Sequence, residues 1–398
     1  MADATTISSL PTVLPLEPPK LPLEATVLIS EAVSDVPNAE SEPALPNLET
    51  ESGVPIISSK PTEPVPDPAS DVPTAASVPK YLQETKLFPE EQELIESLPV
   101  EDSMIEKHCY QYKGFWMDKK HLVGALRSQV HEARKTDVLL CSFPKTGTTW
   151  LKALIFVVTK RTRFPEANQN PLLSSNPHEL VPYLEFSFME SSTCPRLERF
   201  GEPRLMASHV PDVCLPKSVL GAGCKIVYVW RDPKDAFVSM WHFLNKIKSE
   251  DKTAVSLDEG VSKFVNGVYS FGPFWDHVLG YWKIKQENPD RVLFLKYEKM
   301  KEDPREVVLK LSEFLGCPFS PEEEANNVVD DIVKLCSFEN LSNLDVNKNG
   351  KLSLVGLAND SFFRRGTVGD SGNFLSPETR KIIDQITEEK FGPTDLIG

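Results

Sequence analysis

One stretch constrains this chain more than any other: Cys141-Ser142-Phe143-Pro144-Lys145-Thr146-Gly147-Thr148-Thr149-Trp150. Asp137–Phe143 is an apolar run closed by a turn, the pattern of a buried strand. Beyond it Leu151, Leu154, Ile155 and Val158 recur at i, i+3, i+4 and i+7, which predicts a helix over Thr148–Val158 with one apolar stripe. Strand, tight loop and helix N-terminus in succession suit an anion. The first helical N–H groups have no partner inside the helix, and the dipole adds partial positive charge there. Gly147 lets the backbone approach a ligand closely, Lys145 adds a full charge, and Thr146, Thr148 and Thr149 offer hydroxyls. The pattern is not a Walker A loop, because Lys145 precedes the only glycine.

Three further segments carry candidate chemistry. Trp230-Arg231-Asp232-Pro233 reads as a strand end followed by an N-cap and a first helical proline. Arg231 stands at that junction, where its planar fork suits a phosphate, and Ser239 follows two turns along. Pairing of Arg231 with Asp235 on the protein surface is the plainer alternative. His209 closes the short strand Leu205–Ser208; a neutral imidazole there can take a proton near pH 7, although a lone histidine is more often a core residue. The Gly-rich loop Ser361–Asn373 presents Arg364, Arg365 and Gly366, either an anion clamp or a charged surface loop.

Apolar strands at Asp137–Phe143, Leu205–Ser208, Cys224–Trp230 and Val292–Tyr297 alternate with helical stretches. That order predicts an α/β fold, a single domain with a central parallel sheet flanked by helices. Ligands on such sheets bind at the carboxyl ends of the strands, which is where Lys145, His209 and Arg231 all fall.

From about Tyr110 to the C-terminus the chain resembles the cytosolic sulfotransferases, especially the plant soluble group. The Lys145–Trp150 loop resembles that family's 5′-phosphosulfate loop, and Arg231, Ser239 and Arg364–Gly366 match its 3′-phosphate contacts. The resemblance implies a P-loop-like sulfotransferase fold that uses 3′-phosphoadenylyl sulfate (PAPS) as co-substrate, with in-line transfer of a sulfuryl group to a hydroxyl of a small-molecule acceptor. It makes His209 the general base and Lys145 the residue that neutralises the leaving oxygen. It also places Trp150 and Tyr297 on the adenine, though Tyr297 also fits a strand-end packing role. Tyr110, Phe115 and Asn176–Glu185 become acceptor-pocket walls, and flavonoids, steroids and other hydroxylated metabolites are the acceptor classes. Two departures stand out: Arg365 replaces the family's usual Lys, and Ser371-Gly372 replaces its Trp-Lys. A nucleotide-dependent kinase and a catalytically inactive binder on the same fold are the alternatives.

Composition narrows the rest. Residues 1–80 hold 15 of the 34 prolines, twelve acids against three Lys, and no Phe, Trp, Tyr or Arg. Such a segment has little to bury and predicts a disordered acidic tail before a domain over 81–398, either a spacer or a Pro-rich partner site. The net charge of −15 argues against a nucleic-acid partner. No apolar run approaches the ~20 residues of a membrane span, and neither a secretory nor an organelle signal is visible. Seven cysteines without metal-type spacing read as reduced thiols, hence a cytoplasmic protein with no metal. Asp345-Val346-Asn347-Lys348-Asn349-Gly350 copies the start of an EF-hand, but position 12 is Gly356 where a Glu is needed.

Overall fold

The structure, a computed structural model, describes residues 86–104, 108–189, 195–248 and 253–397. The segment expected to form a tail, residues 1–80, lies outside them.

A small antiparallel sheet comes first: β1 (Val100–Glu101), β2 (Cys109–Tyr112) and β3 (Phe115–Asp118). Tyr112 pairs with Phe115 across a two-residue turn of Lys113 and Gly114, with φ of 51° and 86°. Positive φ at both central residues gives the turn the twist that a tight hairpin needs.

The main sheet contains β4 (Val138–Ser142), β5 (Leu205–Ser208), β6 (Lys225–Trp230) and β7 (Val292–Lys296) in the order β5-β4-β6-β7, every neighbouring pair parallel. The expected parallel α/β sheet is present, and each strand lies within one residue of its predicted span. Tyr297 opens the helix Tyr297–Glu302 instead of ending β7.

Both faces of this sheet are covered, as side-chain alternation requires. Val138, Leu140, Val227, Val229, Leu293 and Leu295 pack with Leu151, Leu154, Ile155 and Val158 of the helix Thr148–Lys160. Leu139, Cys141, Ile226, Tyr228 and Trp230 face the other way, toward Phe237 and Met240 of the helix Pro233–Ile247 and Phe274, Val278 and Tyr281 of the helix Phe274–Glu287. Strands buried on both faces read as unbroken apolar runs, which is why the sequence disclosed them. The chain leaves β4 for β5 on one side, then returns to β6 on the other. The resulting switch point lies at the carboxyl end of β4, where the Lys145 loop begins.

Candidate active site

A cavity of about 1860 Å³ opens along the carboxyl edge of the main sheet. Lys145, Gly147, Thr148, Thr149, Trp150, His209, Arg231, Ser239, Tyr297, Arg364, Arg365 and Gly366 all line it. Sequence positions more than 200 residues apart thus meet in one space.

The β4–helix loop turns through the left-handed region twice, with φ of 69° at Lys145 and 116° at Gly147. A Cβ on Gly147 would stand 2.7 Å from the Tyr297 ring, so glycine is needed there for space as well as conformation. Thr146 departs from expectation. It is fully buried, and its hydroxyl donates to the carbonyls of Phe143 at 2.7 Å and Val229 at 3.1 Å. The side chain fastens the loop to β6 and is not offered to the cavity. Lys145 is desolvated and shares the site with Arg364, Arg231 and Lys246. Burial first, then those cations, push its ammonium down to about 7. Its Nζ lies 4.0 Å from the Phe243 ring centroid.

Asp232 caps its helix by accepting from the Lys234 and Asp235 N–H groups, with Pro233 first in the helix. The cap aims Arg231 back into the cavity. Arg231 Nη2 donates to Asp235 Oδ2 at 3.1 Å and to the Thr367 carbonyl at 2.7 Å, and the guanidinium covers the Tyr297 ring at 4.6 Å. The ion pair with Asp235 and the place in the cavity therefore coexist. Asp235 also accepts from the Gly369 N–H at 2.6 Å and the Ser371 N–H at 2.9 Å. Asp370 takes Arg364 at 2.5 Å and Arg365 at 2.7 Å. Burial pushes the Asp370 carboxyl up, but bonds from Asn373, Arg364 and Arg365 outweigh it and hold it at about 2.

His209 is pinned through its backbone. Its N–H donates to Glu185 Oε1 at 2.8 Å, and its carbonyl accepts from His277 Nε2 at 2.9 Å. Nδ1 lies 2.6 Å from the Ser142 carbonyl, which can only accept, so Nδ1 carries the proton and Nε2 the lone pair. Tyr183 Oη lies 2.8 Å from that Nε2. Burial holds the imidazole well below its ordinary value, so it is neutral near pH 7.

The sequence marks His178 and Tyr183 only as pocket walls, through the family resemblance, and Lys152 not at all; the tie of this group to His209 comes from the structure. Tyr183 reaches His209 because Pro182 and Tyr183 bridge to Ala207 of β5. His178 stacks on Tyr183 at 5.4 Å, and its ring nitrogens contact Thr149 Oγ1 and Lys152 Nζ, each at 3.0 Å. Lys152 is fully buried with its Nζ 3.2 Å from the Tyr183 ring centroid, and burial lowers its basicity strongly. Among the expected pocket walls, Tyr110, His178, Glu179, Pro182 and Tyr183 line the cavity. Phe115 does not: its ring packs against His277. Asp345–Asn349 is a short helix, not a calcium loop, and no metal-type group of three His, Cys, Asp or Glu occurs among the described residues. Six cysteines are free thiols there; Cys194 lies outside them. No helix among the described residues is long and apolar enough to cross a membrane.

Comparison with known proteins agrees with this geometry. Residues 135–395 match the family model described as "Sulfotransferase domain". Cytosolic sulfotransferase 16 of Arabidopsis thaliana is 49% identical over 72% of this chain and 86% of its own. A solved structure of an Arabidopsis thaliana putative steroid sulphotransferase superposes with a TM-score of 0.63 at 37% identity, covering 81% of this chain and all of that one. The mouse sulfotransferase SULT7A1 complexed with PAP, at 28% identity and a TM-score of 0.54, covers 72% of this chain and 96% of its own. A basic cavity at the switch point of a parallel sheet, a neutral imidazole on its wall and these likenesses agree: the chain belongs to the sulfotransferase family and is an enzyme of sulfuryl transfer.

Proposed function

We propose that the protein transfers the sulfuryl group of PAPS to a hydroxyl of a small molecule, with Lys145, Gly147–Trp150, Arg231, Ser239, Tyr297 and Arg364–Gly366 holding the donor and His209 acting as base. The observation that carries this reading is the cation group Lys145, Arg231 and Arg364 facing one cavity with the neutral Nε2 of His209. The residues fit such a donor. Arg231 Nε and Arg364 Nε are buried with no partner among the described residues, and burial first, then the neighbouring cations Arg364, Arg231 and Lys246, keeps the Lys145 basicity low. An anion with two phosphate-type groups satisfies these needs.

When bound, the donor supplies the sulfuryl group and leaves as adenosine 3′,5′-bisphosphate. Lys145 offsets negative charge at the loop, as electrostatic stabilisation of group transfer requires. Trp150 and Tyr297, edge to face at 6.0 Å, form an aromatic corner suited to a base. His209 accepts the acceptor proton at Nε2 while Nδ1–H stays on the Ser142 carbonyl.

We assign this work to a domain over residues 81–398 in the cytoplasm, the compartment named in the curated relatives. Flavonoids, steroids and other hydroxylated metabolites are the acceptors to screen with labelled PAPS. A companion thermal-shift comparison sets adenosine 3′,5′-bisphosphate against ATP. Stabilisation by the bisphosphate with label transfer is the expected result; indifference to it ends the reading.

A further inference from the structure

The acceptor end of the cavity contains a second titratable group that the chemistry at His209 does not use. Asp118, Lys119, Lys120 and His121 line that wall together with Ser270 and Phe271. Asp118 ends β3 and caps the helix Lys119–Arg127, its Oδ1 accepting from the His121 N–H at 3.1 Å. Its Oδ2 contacts His121 Nδ1 closely and accepts from Ser270 Oγ at 2.8 Å. The His121 side chain is 21% exposed and that of Asp118 14%.

Three observations point the same way. First, the orientation of His121 is fixed from one side only. Nδ1 is held by Asp118, whereas Nε2 makes no bond among the described residues and is not sealed in the core. An imidazole so placed presents its free edge to the cavity it lines.

Second, the setting favours the charged form of the ring. Burial alone would lower its basicity, but the Asp118 charge and hydrogen bond outweigh this and leave it raised. Glu185 adds to that effect and Lys120 opposes it. Asp118 itself stays well below the carboxylate range. In that charged form Nε2 is an N–H donor, the stronger kind of hydrogen-bond partner for an anion.

Third, the helix starts with Lys119, Lys120 and His121 and has no acid in its first turn. Cations there oppose the helix dipole, which the Asp118 cap offsets in part. All three line the cavity.

His121 also lies close enough to His209 for their charges to interact. Phe271 contacts both rings, His121 at 4.6 Å and His209 at 5.7 Å between centroids. Phe186 likewise touches His121 at 5.1 Å and Tyr183 at 5.4 Å.

We propose that His121, seated on Asp118, is a specificity-determining residue that binds a carboxylate of the acceptor, while the acceptor's apolar body lies along Phe271 and Phe186 and its hydroxyl reaches His209. The substrate class is thus a hydroxylated carboxylic acid with an apolar spacer. This inference rests on the sulfotransferase reading above.

The test uses matched probes: 4-hydroxybenzoate, 4-hydroxyphenylacetate and 3-(4-hydroxyphenyl)propionate, each beside its methyl ester. Binding is measured by calorimetry on the full chain saturated with adenosine 3′,5′-bisphosphate, and sulfation kinetics follow with PAPS. At one spacer length or more, the wild-type protein binds the acid at least tenfold more tightly than the ester, and the difference lies in KM. His121→Phe brings acid and ester within about twofold of each other. His121→Gln, which keeps a donor, retains part of the preference. Affinity of each variant for adenosine 3′,5′-bisphosphate, held at the wild-type value, certifies the fold. Equal binding of acid and ester by the wild type at every length overturns the assignment, as does an undiminished acid preference in His121→Phe. Failure of the wild type to bind adenosine 3′,5′-bisphosphate overturns the donor reading instead, so the two failures are distinguishable.

Discussion

Tyr183 Oη stands 2.8 Å from His209 Nε2, on the only lone pair the imidazole has left. An acceptor hydroxyl must therefore displace the phenol or hand its proton through it. His209→Ala removes the proposed base and lowers kcat about 10²- to 10⁴-fold while adenosine 3′,5′-bisphosphate still binds. Tyr183→Phe removes one hydrogen bond and lowers kcat about three- to tenfold, again with donor affinity retained. Single-turnover sulfation beside calorimetry with the bisphosphate checks both. Near-normal turnover by His209→Ala removes that residue from its role.

Arg231 and Asp235 join the cavity wall to the C-terminal loop through Thr367, Gly369 and Ser371. Arg231→Ala weakens adenosine 3′,5′-bisphosphate about 10- to 100-fold, the worth of a lost charged hydrogen bond. Asp235→Asn keeps the shape but removes the charge that both amides face, and raises KM for PAPS more than it lowers kcat. A change confined to kcat in either variant contradicts this assignment.

Lys145 sits at about 7 in the free protein because it is buried among cations. A bound anion restores its proton, so binding adenosine 3′,5′-bisphosphate above pH 7 takes up a proton. The sign follows: Lys145 is increasingly neutral in the free state as pH rises through 7, and affinity falls from there upward. Calorimetry in two buffers of different ionisation enthalpy reads the uptake directly. Lys145→Gln abolishes it; persistence of the full uptake in that variant assigns the proton elsewhere.

Gly147 combines a φ of 116° with a Tyr297 ring 2.7 Å from any added Cβ. Gly147→Ala therefore lowers the melting temperature by an amount corresponding to about 1 kcal/mol or more and loosens the loop's hold on the bisphosphate. Wild-type affinity in this variant shows that the ring can move aside.

The main sheet was legible because β4–β7 are apolar runs, and a residue lining the cavity follows the carboxyl end of each. The hairpin of β2 and β3 was not, since Lys113-Gly114 lacks the Asn-Gly or Asp-Gly signature and the surrounding aromatics mask the alternation. The Lys145 loop, Arg231 and His209 lie at strand ends, where topology fixes their direction. Tyr183, His178 and Lys152 have no such marker. They meet only because the chain before β5 folds alongside Ala207, a long-range contact without local signature. Thr146 shows the reverse error: a hydroxyl in an anion loop reads as a ligand until β6 supplies the carbonyl that takes it.

The loop ending in Ser371-Gly372 is fastened by main-chain amides to Asp235, and its neighbour Asp370 grips two arginines. The Ser371 side chain adds a hydrogen bond to the same Asp235 carboxylate. A serine and a glycine thus moor this segment without a bulky pair, the serine by its amide and its hydroxyl together.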